Sequence, residues 1–239
     1  MKRLYLLVIA FLSFLPAFSQ SDLQQAEDLY RQGKFSAALS AYETILKNYP
    51  NDPFVYYNIG NCYFKMGSKG LAAANYYRAF KLAPRDGDIR HNLTLALESG
   101  GERFVPTGMP LVLHKAFFYL SDTELKGCVF ALFWVASLLI FWCLIRKKWN
   151  HLATLACLLL LISGGWLYAR VRLAQDVLAV VAAPVAEIRS GPGTNFPASA
   201  SAAQGHLVTI LDEKDSWYEV VVNSQGIKGW LEKDTVEKV

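Results

Sequence analysis

Two uncharged apolar runs separated by a short basic turn constrain this chain more than any other feature. The first, Gly127–Ile145, has 19 residues and the second, Leu152–Ala169, has 18. Each is about the length a helix needs to cross the hydrocarbon core of a bilayer. Arg146-Lys147-Lys148-Trp149-Asn150-His151 lies between them, too short for anything but a tight helical hairpin. The segments before and after the hairpin are therefore expected on one side of a membrane. Composition agrees: 53% hydrophobic and 18% charged residues lie above and below the usual values for a soluble domain.

Neither run contains Asp, Glu, Lys, Arg or His. Intramembrane ionisable groups mark most ion and proton paths, so the hairpin is expected to be an anchor, not a transporter or an intramembrane enzyme. Ser137, Thr154, Ser163 and Gly164-Gly165 are the small residues that could let the two helices approach closely. Arg146, Lys147 and Lys148 crowd the turn, against Lys115 and Lys126 before the first span and Arg170 and Arg172 after the second. The positive-inside rule puts that turn in the cytoplasm. The chain start, Met1-Lys2-Arg3 followed by the apolar Leu4–Phe18, reads as a secretory signal over residues 1–19, with Ala17 and Ser19 suited to cleavage after Ser19. An uncleaved signal anchor is the alternative. Either sends residue 20 onward out of the cytoplasm, so the flanking domains are expected in the periplasm of an inner-membrane protein.

Residues 20–100 contain an internal repeat. Gly33 and Gly67, Ala38 and Ala72, Tyr42 and Tyr76, Pro50 and Pro84, and Tyr30 and Phe64 are all 34 residues apart. Helices are expected at about 21–32, 36–48, 53–66, 70–82 and 88–99. The glycines release the chain between helices, the alanines are small where helices cross, and the prolines end the second helix of each pair. Asp52-Pro53 supplies an N-cap and a first-turn proline. This period and pattern resemble the tetratricopeptide repeat (TPR), here two repeats and a terminal helix ended by Ser99-Gly100-Gly101. Such an array presents a concave groove lined by its first helices. Placing the pattern on this sequence puts Tyr57, Asn58, Asn61, Phe64, Lys65, His91 and Asn92 on the groove side. Asn and Lys there resemble the set with which some TPR domains hold a peptide backbone or terminal carboxylate, the alternative being an ordinary solvated face. Tyr56, Tyr63, Tyr76, Tyr77 and Phe80 are expected in the core.

Residues 101–120 read as a linker followed by Leu111–Leu120, which could lie along the membrane surface as a short amphipathic helix. Ser121 and Glu124 form a capping box that opens the hairpin, residues 121–170. From residue 175 to 239 the pattern becomes short β-type runs, Val177–Val185, Leu207–Leu211, Tyr218–Val222 and Gly229–Val236, broken by Gly, Pro, Asn, Asp and Ser, as in a small all-β barrel. Ala186-Glu187-Ile188-Arg189-Ser190-Gly191-Pro192-Gly193-Thr194, then Gly205, Trp217-Tyr218-Glu219-Val220 and Gly226-Ile227-Lys228-Gly229-Trp230-Leu231, resemble in order the landmarks of bacterial SH3-like (SH3b) domains. Asn223-Ser224-Gln225-Gly226 is expected as a hairpin tip. Trp217, Tyr218 and Trp230 are read as core, with a ligand-facing role as the alternative. Ala198–Ala203 stands where a recognition loop is expected.

Catalytic chemistry is not visible. His91, His114, His151 and His206 lack a second ligand at metal spacing, and no nucleophile elbow, zincin or Walker motif occurs. The cysteines are Cys62, Cys128, Cys143 and Cys157, three of them in the apolar runs and none in a CxxC pair. No enzyme activity, cofactor, metal or nucleic-acid partner is expected. The order of signal, TPR pair, membrane hairpin and SH3b barrel resembles the protein E-like family of the Bat (Bacteroides aerotolerance) operons of Bacteroidota. That resemblance implies an envelope complex with other Bat membrane proteins, some with von Willebrand factor A domains, and a link to oxygen tolerance or stress. The expected function is a non-enzymatic scaffold, with a peptidoglycan-binding sensor or tether as the alternative.

Overall fold

The computed structural model describes residues 20–105, 109–147 and 151–239; the expected signal and residues 148–150 of the basic turn lie outside the described residues. Helices α1 (Gln20–Arg31), α2 (Phe35–Asn48), α3 (Pro53–Lys65), α4 (Lys69–Leu82) and α5 (Gly87–Glu98) form two antiparallel pairs and a terminal helix. Their boundaries have local causes. Gly33 and Gly67 turn the chain with φ of 74° and 82°, a region that costs a side-chain-bearing residue energy. The Asp52 carboxylate accepts from the Phe54 and Val55 amides with Pro53 in the first turn, and Asp86 does the same for Asp88 and Ile89. Ala38 and Ala72 are fully buried where helices cross. One apolar cluster, with Tyr42, Val55, Ile59 and Cys62, joins the first pair to α3. A second, with Tyr76, Phe80, Ile89, Leu93 and Leu97, joins α4 to α5.

Among the described residues, two helices are long and apolar enough to cross a membrane: α7 (Asp122–Arg146), mean hydropathy 2.6, and α8 (His151–Leu173), mean hydropathy 1.9. Their antiparallel pairing buries Ala136, Cys143, Ala153 and Ala156. This corrects the sequence reading of the contact. The residues Ser137 and Ser163 turn their hydroxyls onto carbonyls of their own helices, and a Cβ on Gly164 or Gly165 would meet nothing. Alanine surfaces already let the backbones approach, so serine and glycine are not needed at the seam. The expected capping box forms: Ser121 Oγ accepts from the Glu124 amide at 3.3 Å, and Glu124 accepts from the Ser121 amide at 2.9 Å. Before it comes a short helix, α6 (Leu111–Phe117).

The C-terminal strands are β1 (Val177–Val181), β2 (Val185–Arg189), β3 (Ala198–Ala203), β4 (Leu207–Lys214), β5 (Trp217–Val222), β6 (Ile227–Glu232) and β7 (Val236–Lys238). They form one antiparallel sheet in the order β3-β2-β6-β5-β4-β1-β7, an SH3-like architecture. Its core holds Val181, Ile188, Val208, Tyr218, Val220, Val222 and Leu231. The stretch Ala198–Ala203, expected as a loop, is strand β3, paired with β2 from Ala203↔Val185 to Ala198↔Arg189. Pairing along β2 overrides the weak strand preference of an Ala/Ser run.

Two junctions unite these parts. In the first, the barrel docks on α4. Val180 joins the repeat core cluster, Arg78 donates to Glu237 at 2.5 Å and to the Lys238 carbonyl, and Gln204 accepts from the Lys69 amide at 3.2 Å while donating to the Ala182 carbonyl at 2.8 Å. Ser224 donates to the buried Glu102 at 2.6 Å. Close approach here depends on two glycines. A Cβ on Gly70 would sit 2.1 Å from the Val181 oxygen, and one on Gly100 would sit 2.4 Å from the Gln204 oxygen. This packing requires both flanks of the hairpin on one side.

In the second junction α6 and the start of α7 meet α4, α5 and the end of α8. Arg85 forks onto Glu124 at 2.9 and 2.6 Å. Arg170, 7% exposed in its side chain, donates to the Phe117 and Leu120 carbonyls at 3.1 and 3.3 Å and to Asp122. Trp166 donates its indole N–H to the Phe117 carbonyl at 3.0 Å. Phe80, Phe104, His114 and Phe118 pack as an aromatic cluster, with centroids 4.8–6.5 Å apart.

His114 is 4% exposed and its Nδ1 has no hydrogen-bond partner. Burial, then the nearby Arg90 guanidinium, push its imidazole below the ordinary value. Arg90 lies over Phe80, the ring that stacks on His114, so an added proton would meet a cation. The docked form therefore prefers neutral His114. Its contribution is complete above about pH 6.5, the ordinary histidine value, and is lost as pH falls from there toward the depressed value. Hydrogen-exchange protection factors for residues 109–120 are expected to fall between pH 7.5 and 5.5 in the native chain and to stay level in His114→Phe. An equal fall in both would remove His114 as the cause.

Candidate functional site

The groove formed by α1, α3 and α5 contains a cavity of about 280 Å³ lined by Tyr30, Tyr57, Asn61, Phe64, Lys65, Tyr76, Asn92 and Leu95. The 34-residue register explains this convergence, because equivalent turns of successive first helices stack side by side. Asn61 is the hub. Its Oδ1 accepts from the Tyr76 hydroxyl at 2.7 Å and from Asn92 Nδ2 at 3.2 Å, while Asn92 also donates to the Tyr57 hydroxyl at 3.1 Å. Burial, then Tyr57, push the Tyr76 hydroxyl well above its ordinary value, so it remains a donor to Asn61. Phe64 and Leu95 add apolar wall and Lys65 lies exposed at the rim. The result is a fixed amide–hydroxyl row flanked by apolar surface, suited to an extended peptide.

Of the groove residues named from sequence, the structure brings Tyr57, Asn61, Phe64, Lys65 and Asn92 together. Asn58 stands beside the cavity, donating to the Phe54 carbonyl at 3.0 Å and accepting from Asn61 at 3.4 Å. His91 is exposed and outside the lining. Tyr30, Tyr76 and Leu95 were not named. Tyr30 was legible, as it occupies the Phe64 position one repeat earlier, and Leu95 follows Asn92 by one helical turn. Tyr76 fits the core pattern and is 1% exposed, yet its hydroxyl reaches the groove. Cys62 is fully buried and burial pushes its thiol up to about 11, which leaves almost no thiolate at neutral pH.

The barrel residues Trp217, Tyr218 and Trp230 do not form one site. Tyr218 faces inward opposite Leu231, and Lys233 and Lys238 lie over its ring at 5.1 and 4.5 Å. Trp217 and Trp230 belong to the other face, opposite Glu232 and Glu219. Trp217 is nonetheless 8% exposed and Trp230 is half-buried. Burial agrees with the core expectation for Trp217 and corrects it for Trp230, because strand alternation gives the inner face to Tyr218, Val220 and Val222.

Residues 23–87 match the family model described as tetratricopeptide repeat, and residues 184–237 match the model described as bacterial SH3 domain. Among curated proteins, the chain is similar to Tetratricopeptide repeat protein 16 of Homo sapiens and of Macaca fascicularis, each 29% identical over 72 residues, 30% of this chain and 8% of theirs. It is also similar to Protein arginine N-methyltransferase 9 of Xenopus laevis, 29% identical over 75 residues, 31% of this chain and 9% of that protein. The chain thus spans less than a tenth of these relatives' length.

Proposed function

We propose that this chain is a non-catalytic, membrane-anchored scaffold whose repeat groove holds an extended segment of a partner protein. The observation that carries this reading is the Asn61–Asn92–Tyr57–Tyr76 row, positioned inside an open groove. The barrel docks on α4, the second helix of its pair, and leaves the groove lined by α1, α3 and α5 free. Fixed side-chain amides recognise a peptide main chain irrespective of its sequence, while the apolar wall and Lys65 select side chains and charge. The resemblance to the Bat operon protein E-like family supports other Bat membrane proteins, including those with von Willebrand factor A domains, as partners in an aerotolerance or stress complex. It also supports an inner-membrane location with the repeats and barrel in the periplasm.

A photocrosslinking amino acid at the exposed groove position Leu95 is expected to capture a membrane-complex protein in native membranes. Lys65→Glu, an exposed change with a stability effect within about 0.5 kcal/mol, is expected to cut the adduct by about tenfold, the size of one lost charge-assisted contact. No adduct from Leu95, with the chain folded and inserted, would refute groove binding.

The match to bacterial SH3 domains and the outward, half-buried Trp230 favour a second reading, in which the barrel grips peptidoglycan. Full-length protein in detergent should then sediment with purified sacculi and lose that property in Trp230→Ala. Failure of the native chain to sediment excludes it.

A further inference from the structure

We propose that α6 is seated in the lipid surface, with the Val112 side of the helix dipping into the leaflet nearest the repeats. The proposal rests on the membrane reading of α7 and α8 and goes beyond it by assigning a second, shallow lipid contact. Two independent observations carry it.

The first is the exposed face. His114 and Phe117 of α6, and Phe118 just after it, turn inward to the aromatic cluster. Leu111, Val112 and Leu113 are 51%, 75% and 60% exposed, and no described element covers them. At 100° per residue Val112 and Ala116 centre the outward face, Leu113 borders one side, and Leu111 and Lys115 border the other. That is a narrow apolar strip with a cation at its edge, where a lysine stem can lie along the strip and lift its ammonium to the headgroups.

The second is depth. Arg170 pairs with Asp122, which sets α7 and α8 level at that height. Trp166 is one turn further toward the basic loop, about 6 Å deeper at 1.5 Å per residue. It therefore stands at the height of Lys126, where the uncharged part of α7 begins. The Phe117 carbonyl accepts from both Trp166 and Arg170. The carboxyl end of α6 is thus fixed between those two heights, in the interfacial zone favoured by tryptophan and arginine. A helix pinned at this height, with an uncovered apolar strip, meets lipid. Because His114 of the same helix stacks on Phe80 of α4, the lipid contact also fixes the height of the groove above the bilayer.

The test uses the full chain in lipid nanodiscs, with the four native cysteines replaced by alanine and nitroxide labels placed singly at Val112→Cys, Leu138→Cys and Lys47→Cys. Leu138 is mid-span and Lys47 is exposed on α2. Collision rates with oxygen and with a nickel chelate report depth. The label at 112 is expected about 5–10 Å below the headgroups, the usual depth of a surface helix, with Leu138 deeper and Lys47 in water. A label at 112 as accessible to nickel as that at 47, with 138 in lipid, overturns the proposal and leaves the anchor standing. Nickel access at 138 as well overturns both. Should the cysteine-free background not fold, Val112→Trp in the native chain replaces it. Its added fluorescence must be quenched by lipids brominated near the headgroup, and absence of that quenching overturns the proposal.

Discussion

A leucine at position 70 is expected to detach the barrel from the repeats while each remains folded. Any Cβ there would lie 2.1 Å from the Val181 oxygen and 3.0 Å from the Ala182 Cα, and both are backbone atoms of the barrel, which cannot swing aside as a side-chain tip would. Inserting methylenes into tight packing costs about 1–3 kcal/mol where neighbours can adjust, and a leucine facing rigid backbone lies at or above that range. The cost falls on one junction. Separation gives up the Gln204 bridge, the Arg78–Glu237 pair and the insertion of Val180 into the repeat core. Differential scanning calorimetry of the native chain is expected to show the repeats and barrel melting together, and Gly70→Leu to show two transitions. Protection of the Val181 and Gly205 region from hydrogen exchange should fall in parallel. A single unchanged transition in Gly70→Leu would show that the junction tolerates a gap of a side chain's thickness.

The second large effect is expected at Arg170. Its buried side chain serves two carbonyls and Asp122 and lies over the Phe117 and Phe118 rings at 5.7 and 4.6 Å. Arg170→Ala strands three acceptors. Removing one partner of a buried pair costs about 3–5 kcal/mol. Asp122 is 38% exposed and water can reach it, so about 2–3 kcal/mol is expected here. Arg170→Lys should recover little, because a single ammonium cannot fork between the Phe117 and Leu120 carbonyls and Asp122 while stacking on a ring. The readout is hydrogen-exchange protection of residues 111–120, which should collapse in the alanine variant and remain low with lysine. Retained protection in Arg170→Ala would assign the docking of α6 to its aromatic contacts alone.

Features governed by a few neighbouring residues were legible in the sequence. Gly33 and Gly67 announce left-handed turns, Asp52 and Ser121 announce helix starts, and the 34-residue spacing places Tyr57, Asn61, Phe64 and Asn92 in one groove. Residues whose role depends on a distant segment were not. Gly70 looks like a minor irregularity at a helix start until Val181 arrives against it, and Gly100 looks like an ordinary helix terminator. Arg170 reads as a flanking charge for the membrane surface, yet its fork is committed to the Phe117 and Leu120 carbonyls about fifty positions earlier. Val180 alternates correctly for a strand but belongs to the core of the repeats. Tyr76 shows the same limit within the site: its ring obeys the core pattern and only its hydroxyl serves the groove, a distinction that hydrophobic periodicity cannot carry.

The docking of the barrel on α4 also bears on how such a chain matures. The bonds that join them link residues 135 to 160 positions apart, and the whole hairpin is synthesised between the two halves. During synthesis the repeats emerge first and must wait, with the α4 surface around Gly70 and Arg78 bare, until the last strand, β7, is complete. Insertion of only one of the two helices would leave the barrel across the bilayer from its seat, and α4 would remain uncovered. In the proposed membrane arrangement, assembly of this junction is therefore a chemical record that both crossings were made, and a protease or chaperone that recognises bare α4 would distinguish correctly threaded molecules from failed ones without sensing the two apolar helices at all.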